Sequence, residues 1–137
     1  MSARTLPHWR DDRSLYQHAL ALDDQNWLAH NNLGLVYLAR RETGPAREHF
    51  AAASRIRPSF VQARYNLGLA LEAEREFEPA VQAYLAALEV QPGHPETLLR
   101  LASLARAQGD AEQARAFFEQ ALKKNGGHDG LWAAFAR

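Results

Sequence analysis

A spacing of 34 residues recurs along the chain and restricts its possible folds more than any other feature of the sequence. Residues 27–60 align with residues 61–94 without a gap, and a third copy follows over 95–128. The matching positions of the first two copies are Leu33-Gly34 with Leu67-Gly68, Ala46 with Ala80, Phe50 with Tyr84, Ala53 with Ala87, and Pro58 with Pro92. A fixed period of this length is typical of proteins that stack small structural units in a row.

The residues of each copy predict helices. Alanine and leucine are frequent and no stretch alternates apolar with polar residues, so we expect helix throughout and no strand. Ala46 precedes Phe50 by four residues, which places both on one helix face. Pro58 stands where it would stop a helix and turn the chain. The predicted helices span residues 9–22, 28–40, 45–56, 61–73, 78–90, 95–107, 111–124 and 129–136.

Two glycines interrupt these predicted helices at equivalent places, Gly34 and Gly68. Glycine in a helix interior costs about 1 kcal/mol relative to alanine, so packing must compensate for it. We therefore expect a neighbouring helix to approach the backbone closely at both positions.

With these residues the chain resembles the tetratricopeptide family, whose repeat reads W-x2-L-G-x2-Y, then A-x3-F, then P. Here the pattern is Leu33-Gly34-x2-Tyr37, Ala46-x3-Phe50 and Pro58. The resemblance implies an all-α fold, a right-handed solenoid of antiparallel helix hairpins. We expect a disordered segment 1–8 and one domain 9–137, divided into a partial repeat 9–26, repeats 27–60, 61–94 and 95–128, and a terminal helix 129–137.

The apolar end of the chain leaves two interpretations open. Trp132 and Phe135 are too apolar for the polar helix that usually caps such an array. Either the chain is part of a longer array, or the terminal helix packs onto the third repeat and its aromatic residues are core.

Charge and composition exclude several classes of partner. Sixteen Lys plus Arg balance sixteen Asp plus Glu, so no net charge draws the chain to nucleic acid, and we expect no nucleic-acid partner. No run of apolar residues is long enough to span a bilayer, so we expect no membrane insertion. The absence of cysteine is compatible with the cytoplasm, with the periplasm as the alternative if the chain belongs to a membrane-anchored protein.

No catalytic or cofactor motif is present in the sequence. It contains neither a G-x-S-x-G elbow nor a phosphate-binding G-x-x-x-x-G-K-[ST] loop. The six histidines show no pairing three or four residues apart, as a metal site on one helix would require. We therefore expect a protein that is not an enzyme and holds neither a metal nor a cofactor.

In the tetratricopeptide family the first helix of each repeat lines a concave groove, and the resemblance implies that this chain binds a peptide or a partner helix there. It nominates residues of the three first helices by their place in the repeat. They are Leu28, Asn31, Asn32, Leu35, Leu38, Gln62, Tyr65, Asn66, Leu69, Glu72, Leu99, Arg100, Ser103 and Arg106.

Within this set the asparagines are the sharpest signal. Asn32 and Asn66 lie one period apart, and a ladder of amides can clamp the backbone of an extended peptide, as in the groove of O-GlcNAc transferases that this pattern resembles. The alternative is that these amides face water or tie adjacent helices together. Arg100 and Arg106 suggest an anion contact beside Asn66, although Arg106 also suits a solvated helix end.

The leucines of the set carry the same ambiguity. Leu35, Leu38 and Leu69 form an apolar strip that suits a partner helix, and they equally suit the core between helices.

Three functions remain in competition at this stage. The first is an adaptor that binds a peptide or protein. The second is a recruiting module of a larger enzyme, because the stretch from Trp9 to Gly34 is similar to the opening of repeat arrays attached to bacterial glycosyltransferases. The third is weak self-association through the array ends, where Trp27 and Trp132 lie.

Overall fold

The computed structural model describes residues 11–124, and within that range every regular element is an α-helix. Each helix packs against the helix before it and the helix after it along the chain, which makes a linear stack. The predicted all-α solenoid is confirmed. The helices are α1 (Asp12–Leu22), α2 (Trp27–Ala39), α3 (Thr43–Ile56), α4 (Val61–Ala73), α5 (Phe77–Val90), α6 (Pro95–Ala107) and α7 (Ala111–Lys124).

The predicted boundaries of α2 to α7 lie within two residues of these. Helix α3 shows the largest difference, because it begins at Thr43 rather than at residue 45 and so places Pro45 inside its first turn. The predicted start of the first helix at residue 9, the segment 1–8 and the helix 129–136 lie outside the described residues.

The glycines of the first helices are contact points between paired helices. A Cβ atom placed on Gly34 would lie 2.6 Å from Cε1 of Phe50, and one on Gly68 would collide with the ring of Tyr84. Phe50 and Tyr84 are fully buried. The expectation that a neighbouring helix approaches the backbone at both glycines is therefore confirmed.

Each turn between the two helices of a repeat contains one residue with a positive φ, in the left-handed region. Arg41, Arg75 and Gly109, spaced one period apart, have φ values of 64°, 62° and 83°. In the first of these turns, the amide of Glu42 donates to the carbonyl of Tyr37, and the amide of Arg41 donates to that of Leu38. This pair of hydrogen bonds ends the helix. Glycine usually occupies the positive-φ position of such a helix end, because other residues are strained there.

Replacing Arg41 or Arg75 with glycine should stabilise the fold, because it relieves this strain at an exposed position. The opposite change, Gly109→Ala, should destabilise it. We expect each change to be worth about 0.5–1 kcal/mol in the free energy of unfolding, measured by urea denaturation. A glycine variant less stable than the wild type would show that the arginine side chain makes a compensating contact.

Helix α2 is also joined to α3 by a histidine pair that spacing along a helix did not reveal. Nδ1 of His30 lies 3.0 Å from Nδ1 of His49, and Nε2 of His30 lies 3.0 Å from the carbonyl oxygen of Asp24. The His49 ring stacks on Tyr37, with the two ring planes 9° apart. Burial, and then the neighbouring His30, lower the pKa of His49 below its usual range, against a smaller opposing effect of Glu48.

Acidification should therefore destabilise the fold. Because the pKa of His49 is lower in the folded chain than in the unfolded chain, the unfolded state binds more protons near pH 6, and stability falls as the pH drops below about 6.5. Burial lowers the pKa of His94 in the same direction. Melting temperatures between pH 7.5 and 5.5 test this expectation. The variant His49→Phe should lose less stability over that interval than the wild type, and an equal loss would contradict the assignment to this pair.

Candidate peptide-binding groove

The first helices of the three repeats, α2, α4 and α6, form one side of the stack. Helix α2 contacts α4 directly, although α3 lies between them in sequence. Such direct contact between alternate helices is expected on the inner side of a curved array, where they converge. The nominated residues all lie on these three helices, so the surface of α2, α4 and α6 is called the groove below.

Three recurring positions in the groove change from apolar to polar along the array. At the first repeat two of the three side chains are exposed leucines: Leu28 is 48% exposed and Leu35 is 40% exposed. These two residues lie seven apart and share one face of α2. The three positions, each in chain order, read Leu28, Gln62 and Glu96; Leu35, Leu69 and Ser103; and Leu38, Glu72 and Arg106. The groove therefore has an apolar end at the first repeat and a polar end at the third.

Two of the nominated asparagines are buried between the helices. Asn31 is 3% exposed and Asn66 is 1% exposed. Nδ2 of Asn66 donates to Oδ1 of Asn31 over 2.9 Å, and Gln62 lies beside them, with its Nε2 3.5 Å from Oδ1 of Asn66. The expected ladder of exposed amides at 32 and 66 is thus replaced by a buried pair at 31 and 66. This pair ties α2 to α4, which was the alternative left open by the sequence.

Arg100 is already paired within the protein. Its Nε and Nη2 atoms donate to the carboxylate of Glu72 over 3.3 and 2.5 Å. The hydroxyl of Tyr84 donates to the same carboxylate over 2.7 Å, and burial together with Glu72 raises the pKa of that hydroxyl. Arg100 is held by Glu72, but its side chain is still 41% exposed, so the anion contact of Arg100 beside Asn66 stays a prediction.

A depression of about 280 Å³ lies at the apolar end of the groove. Helix α1 supplies one wall through Asp12 and Tyr16, and α2 supplies the other. Asn32 and Leu35 line it, together with Val36 and Ala39. The contribution of α1 was not predicted from the sequence, which nominated groove residues on α2, α4 and α6 alone. In the structure Tyr16 is half-buried.

The remaining nominated residues divide between groove and core. Leu38 and Leu69 pack partly into the core, and Tyr65 is half-buried with its ring against Tyr84 and His94. Leu99 is half-buried, whereas Ser103 and Arg106 are exposed on α6. The accessible members of the groove are Leu28, Asn32, Leu35, Gln62, Tyr65, Leu99, Ser103 and Arg106.

Residues 11–124 contain no group of three or more histidine, cysteine, aspartate or glutamate side chains placed to hold a metal ion. Over the same range no helix is both long enough and apolar enough to cross a bilayer.

Comparison with known proteins identifies the family. The model of the tetratricopeptide repeat matches residues 45–95 and 65–129, which together make up more than half of the chain. The chain belongs to the tetratricopeptide repeat family. Its resemblance to that family is confirmed, and as a member it is a helical-repeat scaffold of the kind that binds proteins. No curated protein sequence matches the chain.

Solved structures of MamA share this tetratricopeptide fold. A crystal structure of MamA superposes with a TM-score of 0.78 at 23% identity, over 84% of this chain and 67% of that chain. MamA 41-end from Desulfovibrio magneticus RS-1 gives a TM-score of 0.76 at 20% identity, over 85% and 66%. A further crystal structure of MamA protein gives 0.75 at 23% identity, over 84% and 62%. The chain thus spans 62% to 67% of the length of these three MamA chains, and the likeness shows the fold alone.

Proposed function

We propose that this protein binds an extended peptide or a partner helix along the groove of α2, α4 and α6, and that it carries out no chemistry of its own. The observation that carries the proposal is the exposure of Leu28 and Leu35 on one face of α2, beside the depression that α1 and α2 form. Exposed leucines in a concave site gain free energy when a ligand covers them.

The framework of the groove supports this proposal, because polar contacts between its helices hold them in place. The Asn31–Asn66 pair joins α2 to α4, and the Glu72–Arg100 pair joins α4 to α6. Both contacts cross between first helices of successive repeats. A site whose shape is set before binding loses less conformational entropy when a ligand arrives.

The change of polarity along the groove indicates the orientation of the ligand. The apolar residues of the ligand would lie over the first repeat, against Leu28 and Leu35. Its polar residues would lie over α6, where Glu96, Ser103 and Arg106 are exposed. An amphipathic segment with its apolar residues at one end meets both requirements.

A displayed library of linear 16-residue peptides, selected on the wild-type chain, tests the proposal. Affinities of the selected peptides are then measured by fluorescence anisotropy for the wild type and for Leu28→Ala with Leu35→Ala. Truncating two exposed leucines that a ligand covers should weaken binding by more than about tenfold. The matched control is Leu85→Ala, which removes a leucine of similar exposure from α5. A selection in which no peptide loses affinity for the double variant would refute binding in the groove.

A further inference from the structure

The depression between α1 and α2 has a closed counterpart one repeat later. Each of the six residues that line the depression is half-buried or exposed. Four of their counterparts, 34 residues further along the chain, are no more than 1% exposed. These counterparts are Ala46, Phe50, Asn66 and Ala70, which correspond to Asp12, Tyr16, Asn32 and Val36. The two places therefore differ in what covers them.

Helix α2, the first helix of its repeat, covers the closed counterpart. The ring of Phe50 lies against the backbone of Gly34, and the side chain of Asn66 donates to Asn31. Leu38 packs against the buried cluster that contains Phe50. Gly34, Asn31 and Leu38 all belong to α2. The depression is therefore the place where a first helix packs, and among residues 11–124 no such helix precedes α1.

Exposed leucines border the same place. Leu15 and Leu22 lie seven residues apart on one face of α1, and they are 39% and 76% exposed. Their counterparts His49 and Ile56 are half-buried. Because His49 contacts His30 of α2, Leu15 also lies where a first helix passes. A helix that covered both leucines would gain free energy from the burial of their apolar surface.

A helix that fits this place needs a small residue opposite the ring of Tyr16. Tyr16 is the counterpart of Phe50, whose ring lies against Gly34. The ring of Tyr84 lies in the same way against Gly68, and even a Cβ atom at either glycine would collide with the ring. The occupant of the depression is therefore a helix of the same kind as α2, α4 and α6.

The sequence of residues 129–137 carries this pattern at the period of the repeats. Phe135-Ala136 follows Leu101-Ala102 by 34 residues, as Leu101-Ala102 follows Leu67-Gly68. Each pair is a large apolar residue followed by a small one. Residues 1–10 contain no large apolar residue that is followed by glycine or alanine. Within the chain, the segment 129–137 is thus the better match for the helix that the depression lacks.

We propose that a second copy of this chain fills the depression with its residues 129–137, so that copies join end to end. Ala136 of one copy then faces Tyr16 of the next. Trp132 meets Leu15, because their counterparts are the bonded histidine pair of α2 and α3. A first helix inside the stack contacts the second helix on either side of it, so the segment also has a side for α7 of its own chain. The contact does not depend on peptide binding in the groove.

Sedimentation velocity over a wide range of chain concentrations measures this association. The wild type should exceed the mass of one chain as the concentration rises. Leu15→Glu with Leu22→Glu should weaken the association by about tenfold or more, because the contact would bury unpaired charge. The matched control is Leu85→Glu, which changes a leucine of similar exposure on α5 and should associate as the wild type does. A wild type that stays monomeric would overturn the proposal.

A change in the docking segment should have the same effect. Ala136→Phe places a ring where the small residue must face Tyr16, and it should weaken association by about tenfold or more. The control Ala133→Leu adds bulk at the counterpart of Leu99, where the repeat accepts a leucine, and should associate normally. An Ala136→Phe variant that associates like the wild type would contradict the proposed contact.

Mixing the two blocked variants distinguishes end-to-end joining from a two-fold dimer. The variant Leu15→Glu with Leu22→Glu keeps an intact docking segment, and Ala136→Phe keeps an intact α1 surface. Each should stay monomeric alone, and the mixture should form a complex of one chain of each kind. A two-fold dimer uses the same surface on both chains, so mixing would not restore it. Failure of the mixture to form this complex would overturn the proposal.

Photo-crosslinking from position 15 identifies the occupant directly. A benzoylphenylalanine residue introduced there should form an adduct with the mass of two chains, joined to residues 129–137 of the second chain. A crosslink to residues 1–10 of the same chain, obtained in its place, would overturn the proposal in favour of internal occupancy. None of these variants changes Leu28 or Leu35, so self-association and peptide binding in the groove succeed or fail separately.

Discussion

Replacing Asn66 with alanine should lower the free energy of unfolding by about 2–3 kcal/mol. The change removes the 2.9 Å hydrogen bond to Asn31 and leaves the side-chain oxygen Oδ1 of the buried Asn31 without that donor. A lost hydrogen bond costs about 0.5–1.5 kcal/mol, and a buried polar atom left unsatisfied costs about 1–3 kcal/mol. Urea denaturation followed by circular dichroism measures the difference.

Two further variants make this prediction specific to the pair. Replacing Asn31 and Asn66 together with leucine should cost less than Asn66→Ala alone, because no buried polar atom is then left without a partner. Asn32→Ala is the matched control, since Asn32 is the adjacent asparagine and is only half-buried. A loss of stability from Asn32→Ala as large as that from Asn66→Ala would contradict the assignment of Asn31 as the partner of Asn66.

Replacing Gly68 with alanine should lower the free energy of unfolding by about 1–2 kcal/mol, and Gly34→Ala should do the same. A methyl group at either position would collide with an aromatic ring that is fully buried. Overpacking of this kind costs about 1–3 kcal/mol. The higher helix propensity of alanine offsets up to about 1 kcal/mol of this cost. The third repeat has Ala102 at the position equivalent to Gly68, and the equivalent of Tyr84 is Phe118. Both are buried, so this repeat accommodates the methyl group.

The glycine prediction has a control within the same repeat. A Cβ atom on Gly44 would meet nothing within 4 Å, so Gly44→Ala should be neutral or stabilising. Shrinking the ring should relieve the collision: the double variant Gly34→Ala with Phe50→Leu should cost less than the sum of the two single changes. Additive costs, or a destabilised Gly44→Ala variant, would show that the helix pair is not held at this distance by the glycine.

Much of the fold could be predicted because it depends on local patterns that repeat. The 34-residue period marks where each helix starts and stops, and the spacing of Ala46 and Phe50 identifies a face that is indeed buried. The absence of a side chain at Gly34 and Gly68 pointed to the close helix contacts that the structure contains. These features are properties of one helix or one helix pair, so the sequence of a single repeat is sufficient to express them.

The candidate site was predicted less well, because it depends on how successive repeats rotate against each other. Asn31 and Asn32 are adjacent, and whether the first or the second turns inward is set by the relative rotation of α2 and α4, which no spacing within one helix reports. For the same reason the sequence did not reveal the contact of Arg100 with Glu72, 28 residues away, or that of His30 with His49, 19 residues away. Each of these contacts joins two different helices.

Titration of a groove-selected peptide into the chain, with the leucine methyl groups observed by NMR, tests the central claim most directly. If the groove binds the peptide, the methyl signals of Leu28, Leu35 and Leu99 should shift together along one saturation curve, while those of Leu85 and Leu104 stay in place. Bound peptide with unshifted signals from Leu28 and Leu35 would contradict the account.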